Sequence, residues 1–320
     1  MRTGNFLGAT TLLALLSAGC SDAGPPPSTA PVTVDGRVPS FTLTSSSPRV
    51  ILPTGKGIDV ATDALPAGRT KSTMGYHNGQ IMLGTQDVYF IFYGNWGDPS
   101  TSTNANILTD LVGGLCARPY TDIWKAYTDA SGRSANGCFI MSLPIVDAYS
   151  HGTTLSDADV ADVAKRQLDS GALPEDPIGI YIVATSADVT ESSGFGTSYC
   201  AWHGRFVHGG VPLNLGFIGL PDQAPAACAP FGVGPNGTVG ADAAASHLAG
   251  MLSDHTTDPG FAGWYDKLGL EMADKCVWTF GTTYTAPNGA KANVHLGARD
   301  FLLQQLWVPG KNGGACGLHP

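Results

Sequence analysis

The 320-residue chain carries 17 basic and 26 acidic side chains, giving a net charge of −9, and only 13% of its residues are charged. No basic patch offers to neutralise phosphates, which excludes a nucleic-acid partner. Beyond the leader no segment is apolar for long enough to span a bilayer, and 42 glycines suit a loop-rich exported protein.

The N-terminus reads MRTGNFLGATTLLALLSAGC. Arg2 supplies the charge, Phe6 to Leu16 a short apolar core, and Ser17, Ala18 and Gly19 the small residues before Cys20. This predicts a signal peptide over 1–19. A cysteine directly after small residues is the pattern of a bacterial lipoprotein, so Cys20 is the expected lipidation site and a membrane anchor. Ordinary cleavage, leaving Cys20 as a spare thiol, is the alternative. The stretch SDAGPPPSTAPVTVDGRVPS has no apolar period and reads as an extended tether. The predicted organisation is a leader over 1–19, a lipidated tether and extension over 20–72, and one folded domain over 73–320.

Within that domain, QDVYFIFYGNW predicts a buried strand from Asp87 to Tyr93, closed by Gly94. Ile107, Leu108, Leu111 and Val112 recur at helical spacing, and DIWKAYTDA continues as a second helical piece. CFIMSLPIV is a strand stopped near Pro144. LSDADVADVAKRQLDSGALP is the clearest helix: Ser156 can cap it, Asp157 and Asp159 occupy its first turn, and Gly171 and Pro174 end it. A buried strand over Ile178 to Ala184 follows, and LNLGFIGLP is another. Strand, helix, strand in this order predicts an α/β layering. ADAAASHLAGMLSDHTTDP predicts a helix at about Asp242 to Asp254 that stops at Pro259. ARDFLLQQLWV predicts a C-terminal helix with Leu302, Leu303, Leu306 and Trp307 facing in.

Besides Cys20 there are six cysteines, Cys116, Cys138, Cys200, Cys228, Cys276 and Cys316. An even count in an exported chain reads as disulfides, and six cysteines allow 15 pairings. Pairing of neighbours in order is the expectation. No Cys-x-x-Cys occurs, so a structural zinc site is not signalled.

The segments YHNGQIMLGTQDVYFIFYGNW, YSHGTTLS, YCAWHG, PNGTVGAD, TDPGFAGWYD, LEMADKCVWTFGTTYTAPNGAKANV and ARDFLLQQLW, in this order, resemble the Exordium or phosphate-induced protein family. The resemblance covers about Tyr76 to Cys316. It implies an extracytoplasmic protein and a zincin-like mixed sheet with packed helices. It also implies a His-Glu-x-x-Glu motif like that of zinc peptidases, between the Pro-Asn-Gly and Thr-Asp-Pro segments. Counting from either anchor puts the His on Gly250, the Glu on Met251 and the second carboxylate on Asp254. Glycine has no ligand atom, and a Met thioether is a soft, weak donor. The resemblance therefore implies a degenerate metal site and a non-catalytic binder of a surface glycan or protein, with zinc doubtful. A zinc-dependent hydrolase using shifted ligands is the second reading, and a purely structural envelope protein the third.

His247 is the nearest imidazole, but it lies seven residues from Asp254, about 10 Å along a regular helix at 1.5 Å per residue. One ion cannot bridge that span. The candidate metal ligands are His247, Asp254, Glu271 and Asp274, with His203 as a further donor. Asp266, Glu271 and Asp274 lack the Gly-centred spacing of a calcium loop, which favours plain surface solvation of these carboxylates. Asp258 before Pro259 shapes a turn. No Gly-x-Ser-x-Gly elbow is present, and GVGPNGTVG lacks the Lys of a phosphate loop. Trp202, His203, Trp264 and Tyr265 are the candidate ligand-binding aromatics, although core packing is the commoner fate of such side chains.

Overall fold

The structure is a computed structural model that describes residues 49–51, 73–229, 231–311 and 313–320. The leader, Cys20 and nearly all of the expected tether lie outside the described residues.

The sheet grows from two hydrophobic runs. β3 (Gln86–Tyr93) and β7 (Ile180–Thr185) run parallel, Val88 opposite Ile180 and Tyr93 opposite Thr185. Their side chains alternate with the pleat. Val88, Phe90, Phe92, Ile180, Ile182 and Ala184 enter one core, while Tyr89, Ile91, Tyr93, Tyr181 and Val183 enter the other. A strand buried on both faces reads as one apolar run, which is why both were legible.

The remaining strands extend this pair. β4 (Phe139–Met141) and β5 (Ile145–Asp147) both pair in parallel with β3, divided at Pro144 because proline cannot donate to a ladder. On the other side β10 (Val211–Gly219) runs parallel to β7, β9 (Ala201–His208) antiparallel to β10, and β1 (Arg49–Ile51) antiparallel to β9. The turn between β9 and β10 is Gly209-Gly210, with φ of 56° and 90°. Glycine takes such angles without a Cβ penalty, and they match the twist of a tight hairpin. β2 (Met74–Tyr76) pairs with β11 (Trp264–Asp266) as a separate ribbon, and β6 (Thr154–Leu155) with β8 (Thr190–Glu191) as a short parallel one.

Helices cover both faces. α3 (Asp157–Asp169) packs Val160, Val163 and Ala164 onto one side. Ser156 caps it, its hydroxyl accepting from Asp159 N while Asp159 accepts from Ser156 N in return. The opposite face carries α1 (Thr103–Gly114) and α5 (Gly240–Thr257), with the short α2 (Pro119–Asp122), a following 3-10 turn over Ile123–Ala126, and α4 (Pro225–Cys228) at its margins. The result is a mixed α/β fold. Three disulfides join Cys116–Cys138, Cys200–Cys228 and Cys276–Cys316, the neighbour pairing expected from the sequence.

The C-terminal region corrects the sequence reading. ARDFLLQQLWV is not a helix. It splits between the hairpin of β14 (Val294–Leu296) with β15 (Arg299–Phe301) and the hairpin of β16 (Leu306–Val308) with β17 (Ala315–Gly317), after a first short pair of β12 (Tyr284–Thr285) with β13 (Lys291–Ala292). The amides that a helix would need are taken elsewhere. Leu303 N donates to Asn293 Oδ1, Gln305 N to Thr279 O and Trp307 N to Met272 O. Leu303, Leu306 and Trp307 are buried as expected, by strand and loop packing, and Leu302 is half-buried.

A buried carboxylate cluster behind a half-exposed aromatic ribbon

α5 places the centre of the site. All of its residues except Ala243 are buried. Small residues such as Ala241, Ala244, Ala245 and Ala249 let the helix sit close to the sheet and to α1, with no charged stripe left for solvent. Its start is anchored by Asp242, whose carboxylate accepts from Asn236 N, Asn236 Nδ2, Thr238 N and Thr238 Oγ1 at 2.7–3.2 Å. At its end the Thr256 hydroxyl donates to Leu252 O, and Asp258 Oδ1 accepts from Gly263 N at 2.6 Å. Asp258 thus shapes the turn, as the sequence suggests.

Gly250 and Met251 are both buried. A Cβ added to Gly216 of β10 would stand 2.9 Å from both Sδ and Cε of Met251. The thioether therefore fills the space over the sheet where the resemblance expects a general base.

Asp254 lies one turn further on. Its Oδ1 accepts from Ala273 N at 2.7 Å. Oxygen atoms of Asp254, Glu271 and Asp274 all lie within 4.8 Å of one another. Asp274 Oδ2 accepts from Glu271 N at 3.3 Å, and His203 Nε2 meets Glu271 Oε2 at 3.1 Å. The cluster is closed: Asp254 is 2%, Glu271 0%, Asp274 4% and His203 1% exposed, so bulk water does not reach it. Surface solvation of Glu271, Asp274 and the buried Asp266 is thereby corrected. Beside them Lys275 Nζ pairs with Asp266 Oδ2 at 3.0 Å, both fully buried, with the ammonium 4.3 Å from the Trp307 ring centroid.

Charge in this core is handled by burial and pairing. Burial, then the Asp254 charge, raises the pKa values of Tyr120 and Tyr127. Tyr120 donates its hydroxyl to Gln304 O and Tyr127 to Trp307 O. His255 is fully buried, and neither ring nitrogen has a hydrogen-bond partner among the described residues. Burial, with the positive charges of His203 and Arg205, holds its pKa well below the usual imidazole range. His255 is a neutral core residue.

His247 stands apart from the carboxylates. Its Nε2 is 2.7 Å from Cys228 O and its ring packs edge-on against Trp278. Cys200 and Cys228 are close to it, but their sulfurs form a disulfide and are not thiolate ligands. The four candidate metal ligands thus divide into Asp254, Glu271 and Asp274 together and His247 alone. A catalytic zinc of the kind the resemblance implies does not fit this set. The trio offers only oxygen, the one imidazole beside it, His203, has its Nε2 against Glu271 Oε2, the motif position at Gly250 offers nothing, and zinc hydrolases use histidine-rich ligands with an open water position. Three carboxylates suit a hard, oxygen-seeking cation better.

The aromatic candidates also divide. Trp202 and His203 point to opposite faces of β9. Trp202 is 1% exposed and stacks on Phe217, so it lines no groove, and His203 belongs to the buried cluster. Trp264 and Tyr265 are both half-buried on β11 but point to opposite faces of the ribbon: Trp264 packs against the core, 5.3 Å from buried Tyr127, and Tyr265 lies on the other face with His77. There Trp264 lies 5.6 Å from Tyr76, and Tyr265 stacks on His77 at 3.5 Å and 3°. Trp264 Nε1 donates to Thr128 O, which fixes its ring. A cleft of about 390 Å³ opens beside the ribbon, lined by Tyr76, Gln80, Leu83, Asp129, Arg133 and Ile178 among others. Reading the sequence for single aromatic-His pairs misses this pairing of Tyr76 with Trp264 and of His77 with Tyr265. The signal was two short aromatic runs, GYH and GWYD, able to pair as strands.

Comparison with known proteins agrees with the resemblance. The family model described as the phosphate-induced protein 1 conserved region matches residues 74–316. The chain is 26% identical to Protein EXORDIUM-like 5 of Arabidopsis thaliana, over 73% of this chain and 75% of that protein. It is 24% identical to Protein PHOSPHATE-INDUCED 1 of Nicotiana tabacum, over 73% and 85%. It is 25% identical to Protein EXORDIUM-like 2 of Arabidopsis thaliana, over 74% and 87%. No solved structure matches the chain. With a match over most of its length, and the family's segments falling on α5, the ribbon and the disulfide-tied C-terminal hairpins, the chain belongs to the phosphate-induced protein 1, or Exordium, family.

Proposed function

We propose that this chain is an extracytoplasmic, lipid-anchored binding protein that holds a surface glycan or protein segment on its aromatic ribbon and does not hydrolyse it. The observation that carries the reading is the pair Gly250 and Met251, buried on α5 and lacking the ligand and the base that zinc hydrolysis needs. The closed carboxylate cluster supports it, because a hydrolytic water needs access. The half-buried Tyr265 with exposed His77 on one face of the ribbon, and Tyr76 at the polar cleft, supply the aromatic groups that sugars and extended peptides use.

Three disulfides favour an oxidising compartment. No helix among the described residues is long and apolar enough to cross a membrane, so the reading rests attachment on Cys20. The test is binding to envelope polysaccharide and to purified surface protein, with Trp264→Ala and Tyr265→Ala beside the unaltered chain. We expect binding to fall at least tenfold in either variant, with no cleavage of unstructured peptides. Cleavage that depends on zinc would overturn the reading. Release of Cys20→Ala to the medium, with the unaltered chain retained on membranes, tests the anchor.

A further inference from the structure

Asp266 is the last residue of β11, and Lys275 stands nine residues further on, in the Asp274–Cys276 turn. Both side chains are fully buried, with Lys275 Nζ 3.0 Å from Asp266 Oδ2. Trp307, itself 2% exposed, walls the pair, its ring centroid 4.3 Å from the ammonium. Lysine is among the residues least often fully buried. A buried ion pair adds little stability, because stripping water from two ions costs about what their attraction returns. Stability alone is therefore a poor reason for this pair to be inside.

The carboxylate is held asymmetrically. Oδ1 accepts from Leu268 N at 2.8 Å and from Leu270 N at 3.0 Å, while Oδ2 faces the ammonium. The loop that supplies those amides is itself tied down. Asp266 N donates to Leu270 O, Gly269 N donates to Asp266 O, and Gly269 takes the φ of 81° that the turn requires. On the other side Lys275 N donates to Glu271 O, and the next residue, Cys276, is bonded to Cys316. One carboxyl oxygen thus carries two backbone donors, and the other touches an amine nitrogen in a site closed to water. That is the geometry that favours acyl transfer to nitrogen.

We propose that Asp266 and Lys275 condense to an amide, a covalent cross-link between the end of the aromatic ribbon and the disulfide-bonded turn. A first proton passes from Nζ to Oδ2 along their hydrogen bond, leaving an amine and a carboxylic acid. Nζ then attacks Cγ. The charge that develops falls on Oδ1, where Leu268 N and Leu270 N already point. The Cγ–Oδ2 bond breaks, and Oδ2 departs as one water with a second proton from Nζ. The third proton stays on the amide nitrogen. One carboxylate and one ammonium give one amide and one water, so no oxidant, reductant or activated co-reactant is needed. The step removes two buried charges, and effective concentrations for groups held in such contact reach about 10⁵ M or more. Exclusion of water guards the product against hydrolysis.

The test is a tryptic map of the exported protein after reduction and alkylation. Trypsin can cut after Lys267, inside the loop, whether or not the link forms. An amide at Lys275 Nζ removes the charge that trypsin reads there. The expected result is no cleavage after Lys275. It is accompanied by a branched peptide joining the strand that ends WYDK to the one that begins LGLEMADKC, lighter than the two together by one water, about 18 Da. Asp266→Ala should restore cleavage after Lys275. The unaltered chain decides the matter even if that variant fails to fold. Recovery of LGLEMADK as a free linear peptide in place of the branched one would overturn the proposal. So would loss of water at Asp266 with Lys275 still cleaved, the mark of a succinimide, or a block at Lys275 that persists in Asp266→Ala.

Discussion

Asp254 and His247 sit on one helix, yet the fold gives them opposite electrostatic tasks. Asp254 is a buried acceptor, and Ala273 N depends on it. Asp254→Ala should destabilise the chain by at least ~1–3 kcal/mol, the usual cost of leaving a buried donor unpaired, measured from urea unfolding midpoints. His247 is buried neutral. Its folded pKa of about 4 lies below the ordinary 6.5, so the unfolded chain binds the extra proton between those values. The stability this residue adds is therefore complete above pH 6.5 and is lost as pH falls through about 4. The 2.5-unit difference corresponds to about 3 kcal/mol at most. His255 acts in the same direction. Urea midpoints should fall as pH drops from 7 to 4, less steeply in His247→Gln. At this scale the sequence showed which residues lacked chemistry, Gly250 and Met251. That Glu271 and Asp274 fold onto Asp254 was implied only by the family resemblance and not by their spacing, because chain separation carries no distance.

Among the elements, α3 was legible almost to the residue. Its cap, acidic first turn and apolar stripe all agree with one helix. Ser156→Ala should cost about 1 kcal/mol, seen as a lower unfolding midpoint with helix content otherwise unchanged. α5 was legible in position, though it extends to Gly240–Thr257. The C-terminal segment misled because Leu302, Leu303, Leu306 and Trp307 have helical spacing while their amides bond to distant chain. Periodicity records which side chains are buried and not which backbone partner satisfies the N–H. β9 was hidden by its mixture of His, Gly and Arg, although Gly209-Gly210 ahead of LNLGFIGLP was a hairpin signal.

For the whole molecule, two cores lie on either face of one mixed sheet, and the Cys200–Cys228 and Cys276–Cys316 links both fall in the core that holds α5. The Cys276–Cys316 link spans 40 residues and holds the last hairpin against the Asp274–Cys276 turn of the cluster. Replacing both cysteines with serine should lower stability by about 3–4 kcal/mol and loosen the cluster first, which hydrogen exchange at Ala273 would report. The α/β class was legible because parallel strands bury both faces. The closed cluster and the open ribbon were not, since both arise from contacts between segments far apart in sequence. That closure, with Gly250 and Met251, is why a zinc hydrolase is not the reading. The most direct measurement is metal content by plasma mass spectrometry on the exported protein, before and after zinc soaking, with Asp254→Asn and Glu271→Gln alongside. The expected result is zinc far below one ion per chain in every sample. One zinc per chain, lost in both variants and accompanied by peptide cleavage, would contradict it.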